Sequence, residues 1–300
     1  MNRRNSTPIQ QSFLRQYQQA VLAFSSLLLG LAFVFIASAF MQKDEAATKQ
    51  PEDVFRVCKW ITAPDGTREQ SVKTAGLLAP ELNRQLPGTI AHIARFMNWP
   101  EEVAVTNYEQ LAPTEKWAFA DPAIMQLFNL KAVYGNVKTA LNKPGQLVLT
   151  DRYAKKLFGS VNPVGKTLMG LGGKTYTVAA VVEHPASHVA IQFDVIASWA
   201  STLEDNGIHA FPFLNNWTAQ LAETFIRLED TEQKALVQQA ILEVARKSPH
   251  PSGCTDIFIQ SLNKTKENTS IRENAEQDRF GARVSPPGGR MVLVAGGLVL

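Results

Sequence analysis

A chain of 300 residues, 45% hydrophobic and 19% charged, is long enough for roughly one to three domains with a sizeable core and too apolar to be disordered throughout. Its formal charge of +3 is concentrated at one end: residues 1–42 hold Arg3, Arg4 and Arg15 and no acid, and removing those three from the 30 basic residues leaves 27 against 27 acidic ones. A neutral remainder carries no footprint for nucleic acid.

In chain order, residues 1–20 form a polar, arginine-bearing leader, followed by the uncharged run "VLAFSSLLLGLAFVFIASAFM" over 21–41. At about 1.5 Å per helical residue that run spans roughly 30 Å, the thickness of a bilayer core, so it reads as a transmembrane helix. The basic flank on its N-terminal side places 1–20 in the cytoplasm and the bulk of the chain outside. A cleavable signal peptide is the competing reading, because Ala37-Ser38-Ala39 has the small-x-small form of a cleavage site. The apolar run is longer than a typical signal core, which favours the uncleaved anchor.

Beyond the anchor, "VFRVCKW" (54–60) reads as a strand, "AGLLAPELNRQL" (75–86) as mostly helix and "TIAHIARF" (89–96) as a strand. The order recurs later. "ETFIRL" (223–228) is strand-like, 231–247 is a helix with Ala235, Leu236, Ala240, Ile241 and Val244 on one face, and "DIFIQSL" (256–262) is a strand. Two βαβ units, 50–96 and 222–262, therefore predict an α+β domain: a split βαβ, porter-like sheet with helices on one face, into which 97–221 is inserted as a mixed α/β subdomain. The polar stretch 263–288 reads as a linker, and 289–300, ending in "MVLVAGGLVL", as the start of a second membrane helix.

Within the middle segment, "LFGSVNPVGKT" (157–167) imitates a nucleotide-binding P-loop. The imitation fails in two ways: five residues rather than four separate Gly159 from Gly165-Lys166, and the order is helix, turn, strand where a P-loop needs strand, turn, helix. Pro163 also lacks an N–H to offer. The stretch therefore reads as a structural turn built on Gly159, Pro163, Gly165 and Lys166, its glycines permitting positive φ or close packing.

No arrangement of residues points to catalysis. "HPASH" sets His184 four residues before His188, with Glu183 alongside, but Pro185 argues for a loop rather than a helical metal face. Glu101-Glu102 reads as solvated surface, Asp151-Arg152 as a helix start, and Asp121-Pro122 as an N-cap with proline at the first helical position. No G-x-S-x-G elbow occurs, and neither cysteine lies in a nucleophile context. No metal or cofactor is expected. The aromatics of "FMNW" and "FPFLNNW", with Phe96, Trp99, Phe211 and Trp217 at their ends, are candidate partner contacts that could equally be core.

Taken together, "DVFRV", "AGLLAPELNRQLPG", "FADPAIMQLFNLKAVYGNVKTAL", "QLVLTDRYAKKLFGSVNPVGKTL" and "YTVAAVVEHP" resemble, in order and approximate spacing, the periplasmic core domain of MacB-like and FtsX-like ABC transporter permeases. The matching positions are Asp121-Pro122, Gly135-Asn136, Ala140-Leu141, Ala154, Phe158-Gly159, Pro163 and Gly165-Lys166. Ala180 departs from the family, which usually has glycine there, and "SFLRQYQQ" carries only Arg15 where a basic amphipathic segment is usual. The resemblance implies a bacterial inner-membrane protein that is not itself an enzyme. It implies a separate cytoplasmic ABC-type ATPase as partner, pairing with a second copy or a related permease chain, and transmission of ATP-driven movement to the outer domain. An anchored or secreted binding module without an ATPase is the alternative.

Export also makes a disulfide permissible. If the first and last strands are antiparallel neighbours, Cys58 and Cys254 lie near the meeting ends and are candidates to be bonded; two separate thiols are the alternative.

Overall fold

The structure, a computed structural model, describes residues 17, 19–35, 38, 53–62, 66–114, 116–187, 189–203, 211–247 and 254–262. The expected linker and second membrane helix, His188 and parts of 1–20 and 21–41 lie outside these residues. The chain divides into two units, Met1–Lys49 and Gln50–Leu300.

In the first unit, residues 19–35 form helix α1, and each of these residues is exposed. Leu22, Phe24, Leu27, Leu29, Phe33 and Val34 present apolar surface on several sides of it. Its serines turn inward: the hydroxyls of Ser25 and Ser26 donate to the carbonyls of Leu22 and Ala23, both at 2.9 Å, the arrangement that spares a polar side chain from needing water. Among the described residues, no helix is long and apolar enough to cross a membrane.

The second unit begins with β1 (Val54–Thr62), β2 (Arg68–Ser71), β3 (Lys73–Ala75), α2 (Leu78–Gln85) and β4 (Ile90–Asn98). Next come β5 (Trp117–Ala120), α3 (Ile124–Leu127), β6 (Ala132–Gly135), β7 (Gln146–Thr150), α4 (Asp151–Phe158), β8 (Thr167–Met169), β9 (Thr175–Val182) and β10 (Val195–Ser198). The unit ends with β11 (Gln220–Leu228), α5 (Lys234–Lys247) and β12 (Cys254–Ser261). The strands form one mixed sheet in the order β12-β1-β11-β4-β5-β10-β7-β9-β6, with β2, β3 and β8 paired beside β1, β11 and β9.

In the β12-β1-β11-β4 half two β-α-β units interleave, β1-α2-β4 and β11-α5-β12. β1 pairs antiparallel with β12 over seven residues, and its Phe55 lies opposite Ser261, so the chain passes into and out of this half side by side. α2 and α5 cover one face, where Leu78, Leu82, Val237, Ile241 and Val244 pack on Phe55, Val57, Ile226 and Ile259. Each such aliphatic side chain contributes about 2 kcal/mol by leaving water. The buried face of α5 is Val237, Ala240, Ile241, Val244 and Ala245, the i, i+3, i+4, i+7 series. Ala235 and Leu236, expected on that face, point to solvent, with Leu236 49% exposed. The helix starts later than expected because a 3-10 turn at Thr231–Gln233, capped by the Asp230 carboxylate, precedes it.

Segment 97–221, expected as an inserted subdomain, extends the same sheet. β4 runs on to Asn98, and its Phe96, Met97 and Asn98 pair with Ala120, Phe119 and Ala118 of β5. Beyond this seam β10 lies parallel to β5 and β7 parallel to β9. Side chains alternate across the sheet into two cores. One gathers Trp117, Phe119, Leu149, Tyr153, Leu157 and Tyr176, and the other Ala118, Ala120, Ile124, Leu127, Phe193 and Ile196.

Opposite charges meet on the face away from α2 and α5. Glu223, opposite Phe96 in the ladder, lies 2.9 Å from the Lys73 ammonium and 3.5 Å from the Arg56 guanidinium. Arg227 lies 3.0 Å from Asp53 and donates to the carbonyls of Gln126 and Leu127, binding the C-terminal end of α3 to β11.

Candidate functional site

The turn at 159–166 closes α4. Thr150 caps the helix start by accepting from the Tyr153 amide, and Gly159, at φ 64°, ends it while donating to the Lys155 carbonyl. Gly165 also adopts positive φ, 85°, and a Cβ on either glycine would meet open space, so it is the backbone angle rather than packing that calls for glycine. The amides a phosphate would need are already used: Gly165 donates to Val178, Lys166 to Pro163, and Val164 to the Asn162 side chain. Pro163 is buried, and the Lys166 ammonium sits 5.2 Å from the centre of the Phe158 ring.

Against this turn folds a segment the sequence reading did not resolve. Residues 103–114 double back, with Val103 paired to Thr114 and Thr106 to both Leu111 and Met169. Asn107 makes the bend, its side-chain oxygen accepting from Glu109 and Gln110 while its amide donates to the Leu157 carbonyl at 2.8 Å. Between the two turns lies a groove of about 450 Å3, lined by Asn107, Tyr108, Glu109, Phe158, Val161 and Lys166 among others. Its rim carries exposed Tyr108 and Val161, and one side chain of each charge, Glu109 and Lys166.

Tyr153 fastens α4 to this doubled segment, its hydroxyl donating to the Ala112 carbonyl. Burial pushes the phenol well above its ordinary value, with the nearby Asp194 carboxylate adding to the effect. Tyr153→Phe leaves that carbonyl without its donor, with an expected cost of about 1 kcal/mol. Faster amide exchange confined to 103–114 would mark the loss, whereas unchanged exchange there would show that the bond does not hold the segment.

A second cluster sits at the seam between the two halves of the sheet. Arg95, on β4, directs its guanidinium to Asp121 just beyond β5: Nε donates to Oδ2 and Nη2 to Oδ1, both at 2.8 Å. The Arg95 backbone amide donates to the same carboxylate, also at 2.8 Å. Nη1 reaches the Gly76 carbonyl at 3.1 Å and the Asn215 side chain at 3.3 Å. The guanidinium carbon lies 4.4 Å from the Trp199 ring centre, and the indole N–H donates to Asn215. Five segments distant in sequence thus meet at one planar cation, which suits a bidentate, stacked arginine and not a lysine. Gly76 fits only because it has no side chain: a Cβ there would come within 1.7 Å of the Leu214 carbonyl oxygen.

Asp121 is therefore not the N-cap the sequence implied. Ala123 occupies the cap position of α3 with no side-chain bond, and the Asp121 carboxylate turns back to Arg95. Phe96 is 1% exposed and belongs to the core rather than to a contact surface. Trp99 and Phe211 are half-buried and pack on each other and on Phe119, with ring centres 5.1 to 6.3 Å apart. Trp217 is half-buried against the core under α2 and α5.

The expected disulfide is corrected by register. Cys58 lies opposite Phe258, and Cys254 opposite Ile61, beyond a β-bulge. Three residues of strand, roughly 10 Å, separate the positions, further than a disulfide's Cα atoms reach. Cys58 is a buried free thiol that donates to Gln260 at 3.5 Å, and burial pushes its pKa up.

At His184, burial and then the Arg152 charge push the imidazole pKa down, while its backbone amide donates to Asp151. Among the described residues no three His, Cys, Asp or Glu side chains gather as metal ligands.

Comparisons place this architecture. A domain assigned to a permease protein from Porphyromonas gingivalis superposes with a TM-score of 0.56 at 19% identity, covering 70% of this chain and 90% of that one. The periplasmic region of MacB from Actinobacillus actinomycetemcomitans gives 0.48 at 14% identity over 72% of this chain and 91% of its own. The extracellular domain of the noncanonic ABC-type transporter YknZ from Gram-positive bacteria gives 0.47 at 10% identity over 69% and 99%. No curated protein matches the chain. The family described as MacB-like periplasmic core domain matches residues 20–244, three quarters of the sequence, and the chain belongs to that family.

Proposed function

We propose that this chain is the permease subunit of an ABC transporter. In this reading 21–41 anchors it in the bacterial inner membrane, and the sheet unit lies outside the membrane. A separate cytoplasmic ATPase supplies the work, and the chain pairs with a second copy or a related permease. The observation that carries the reading is the family match, which begins at residue 20 and so takes in the apolar helix as well as the sheet. A helix exposing leucine and phenylalanine on several sides needs an apolar surrounding, and a bilayer provides one. The role we assign is mechanical: movement of the membrane helices shifts the sheet unit, which moves or releases a substrate.

The test is capture of the native protein from solubilised membranes with an antibody against 50–270, followed by mass spectrometry of everything retained. A P-loop ATPase recovered in stoichiometric amount is the expected result. Recovery without any ATPase overturns the permease reading and leaves an anchored binding module.

A further inference from the structure

We propose that the outer edge of β6 is a docking edge for an extended polypeptide segment bearing acidic side chains, which joins the sheet as an added strand. β6 closes the sheet, and among the described residues it pairs only with β9. All of Ala132–Gly135 is exposed, including Val133 at 42% and Tyr134 at 40%. An edge strand carries a row of backbone donors and acceptors facing outward, which an incoming strand can pair. Valine and tyrosine are also the side-chain types that favour cross-strand contact.

The edge is held in shape before anything binds. The Glu183 amide donates to the Lys131 carbonyl at 3.0 Å at one end. At the other, Gly135 lies so close to β9 that a Cβ would come within 2.6 Å of the Ala179 carbonyl oxygen. A preformed edge costs a ligand less ordering than a flexible one.

Charge selects the occupant. Between residues 121 and 183 the chain carries eight lysines and arginines against three acids, Asp121, Asp151 and Glu183, of which Asp121 is paired with Arg95, although the chain from Lys43 onward is neutral. Exposed Lys131 and Lys138 bracket β6. Lysines at an edge oppose pairing with a second copy, whose own lysines would meet them, and attract a strand of opposite charge.

The experiment uses the full chain in zwitterionic nanodiscs and a fluorescent short peptide alternating glutamate with valine, followed by anisotropy at physiological salt. Saturable binding is expected, weakened about tenfold by Lys131→Glu with Lys138→Glu. Loss is expected when alternate peptide amides are N-methylated, because that removes ladder donors without altering charge. Amide exchange at Val133 and Tyr134 should slow on binding. Equal binding of the N-methylated peptide, equal binding of a lysine–valine peptide, or no saturation up to millimolar concentration each overturns the proposal. The readout is independent of any ATPase, so it stands or falls apart from the permease reading.

Discussion

Arg95→Ala is expected to destabilise the sheet unit by about 3 kcal/mol, because it leaves a mostly buried carboxylate at Asp121 without its cation. The Asp121 side chain is 20% exposed and that of Arg95 13%, so water recovers only part of the lost interaction. The same change removes the donor to the Gly76 carbonyl and the cation stacked on Trp199. Arg95→Lys keeps the charge and loses the fork, so it should fall between wild type and alanine. Asp121→Asn retains an acceptor for the Arg95 amide and should cost less than Asp121→Ala. Denaturant unfolding of the detergent-solubilised chain measures the series. A loss under about 0.5 kcal/mol for Arg95→Ala, the range of an ordinary surface change, would remove the seam cluster from what holds the two halves together.

Gly76→Ala is expected to be at least as damaging, about 3 kcal/mol or more, for a different reason. The added methyl would overlap a backbone oxygen, that of Leu214 at 1.7 Å, so no rotamer change can relieve it. The 211–217 segment must shift, taking Asn215 out of reach of Arg95 and Trp199. Gly88→Ala is the matched control: its φ of 78° makes alanine strained, but a Cβ there meets nothing within 4 Å. That control should lose about 1 kcal/mol through backbone conformation alone. If Gly76→Ala proves no less stable than Gly88→Ala, the close approach of Gly76 to Leu214 is not a constraint on the fold.

What the sequence disclosed was local. Runs rich in β-branched residues located β1, β4, β11 and β12, and turn chemistry at Gly159 and Gly165 separated the 159–166 turn from a phosphate loop, because each signal is complete within a dozen residues or fewer. The short strands β2 and β3, which pair with β1 and β11, gave no such signal: "REQSVKTA" is polar and alternates weakly, and Ala75 reads as the start of the following helix. The seam cluster was invisible for a stronger reason. Arg95 lies 26 residues from Asp121 and 120 from Asn215, so no spacing rule connects them, and Asp121 beside Pro122 satisfied a local capping pattern that the fold does not use. Register misled in the same way for Cys58 and Cys254, since adjacency of strands does not determine which residues face each other.

The pairing of Phe55 with Ser261 brings the start of β1 and the end of β12 to one place on the sheet unit. If, as the proposed function has it, both ends of the sheet unit lead to the membrane, that place would act as a pivot, because a pull shared between β1 and β12 would load them side by side and rotate the sheet instead of sliding one strand along the other. From β1 to β6 the sheet order counts seven steps. At about 4.8 Å per step that is a lever arm of roughly 33 Å. A tilt of about 10° at such a pivot would carry the β6 edge through roughly 6 Å, enough to bring the strand we propose there into or out of hydrogen-bonding range.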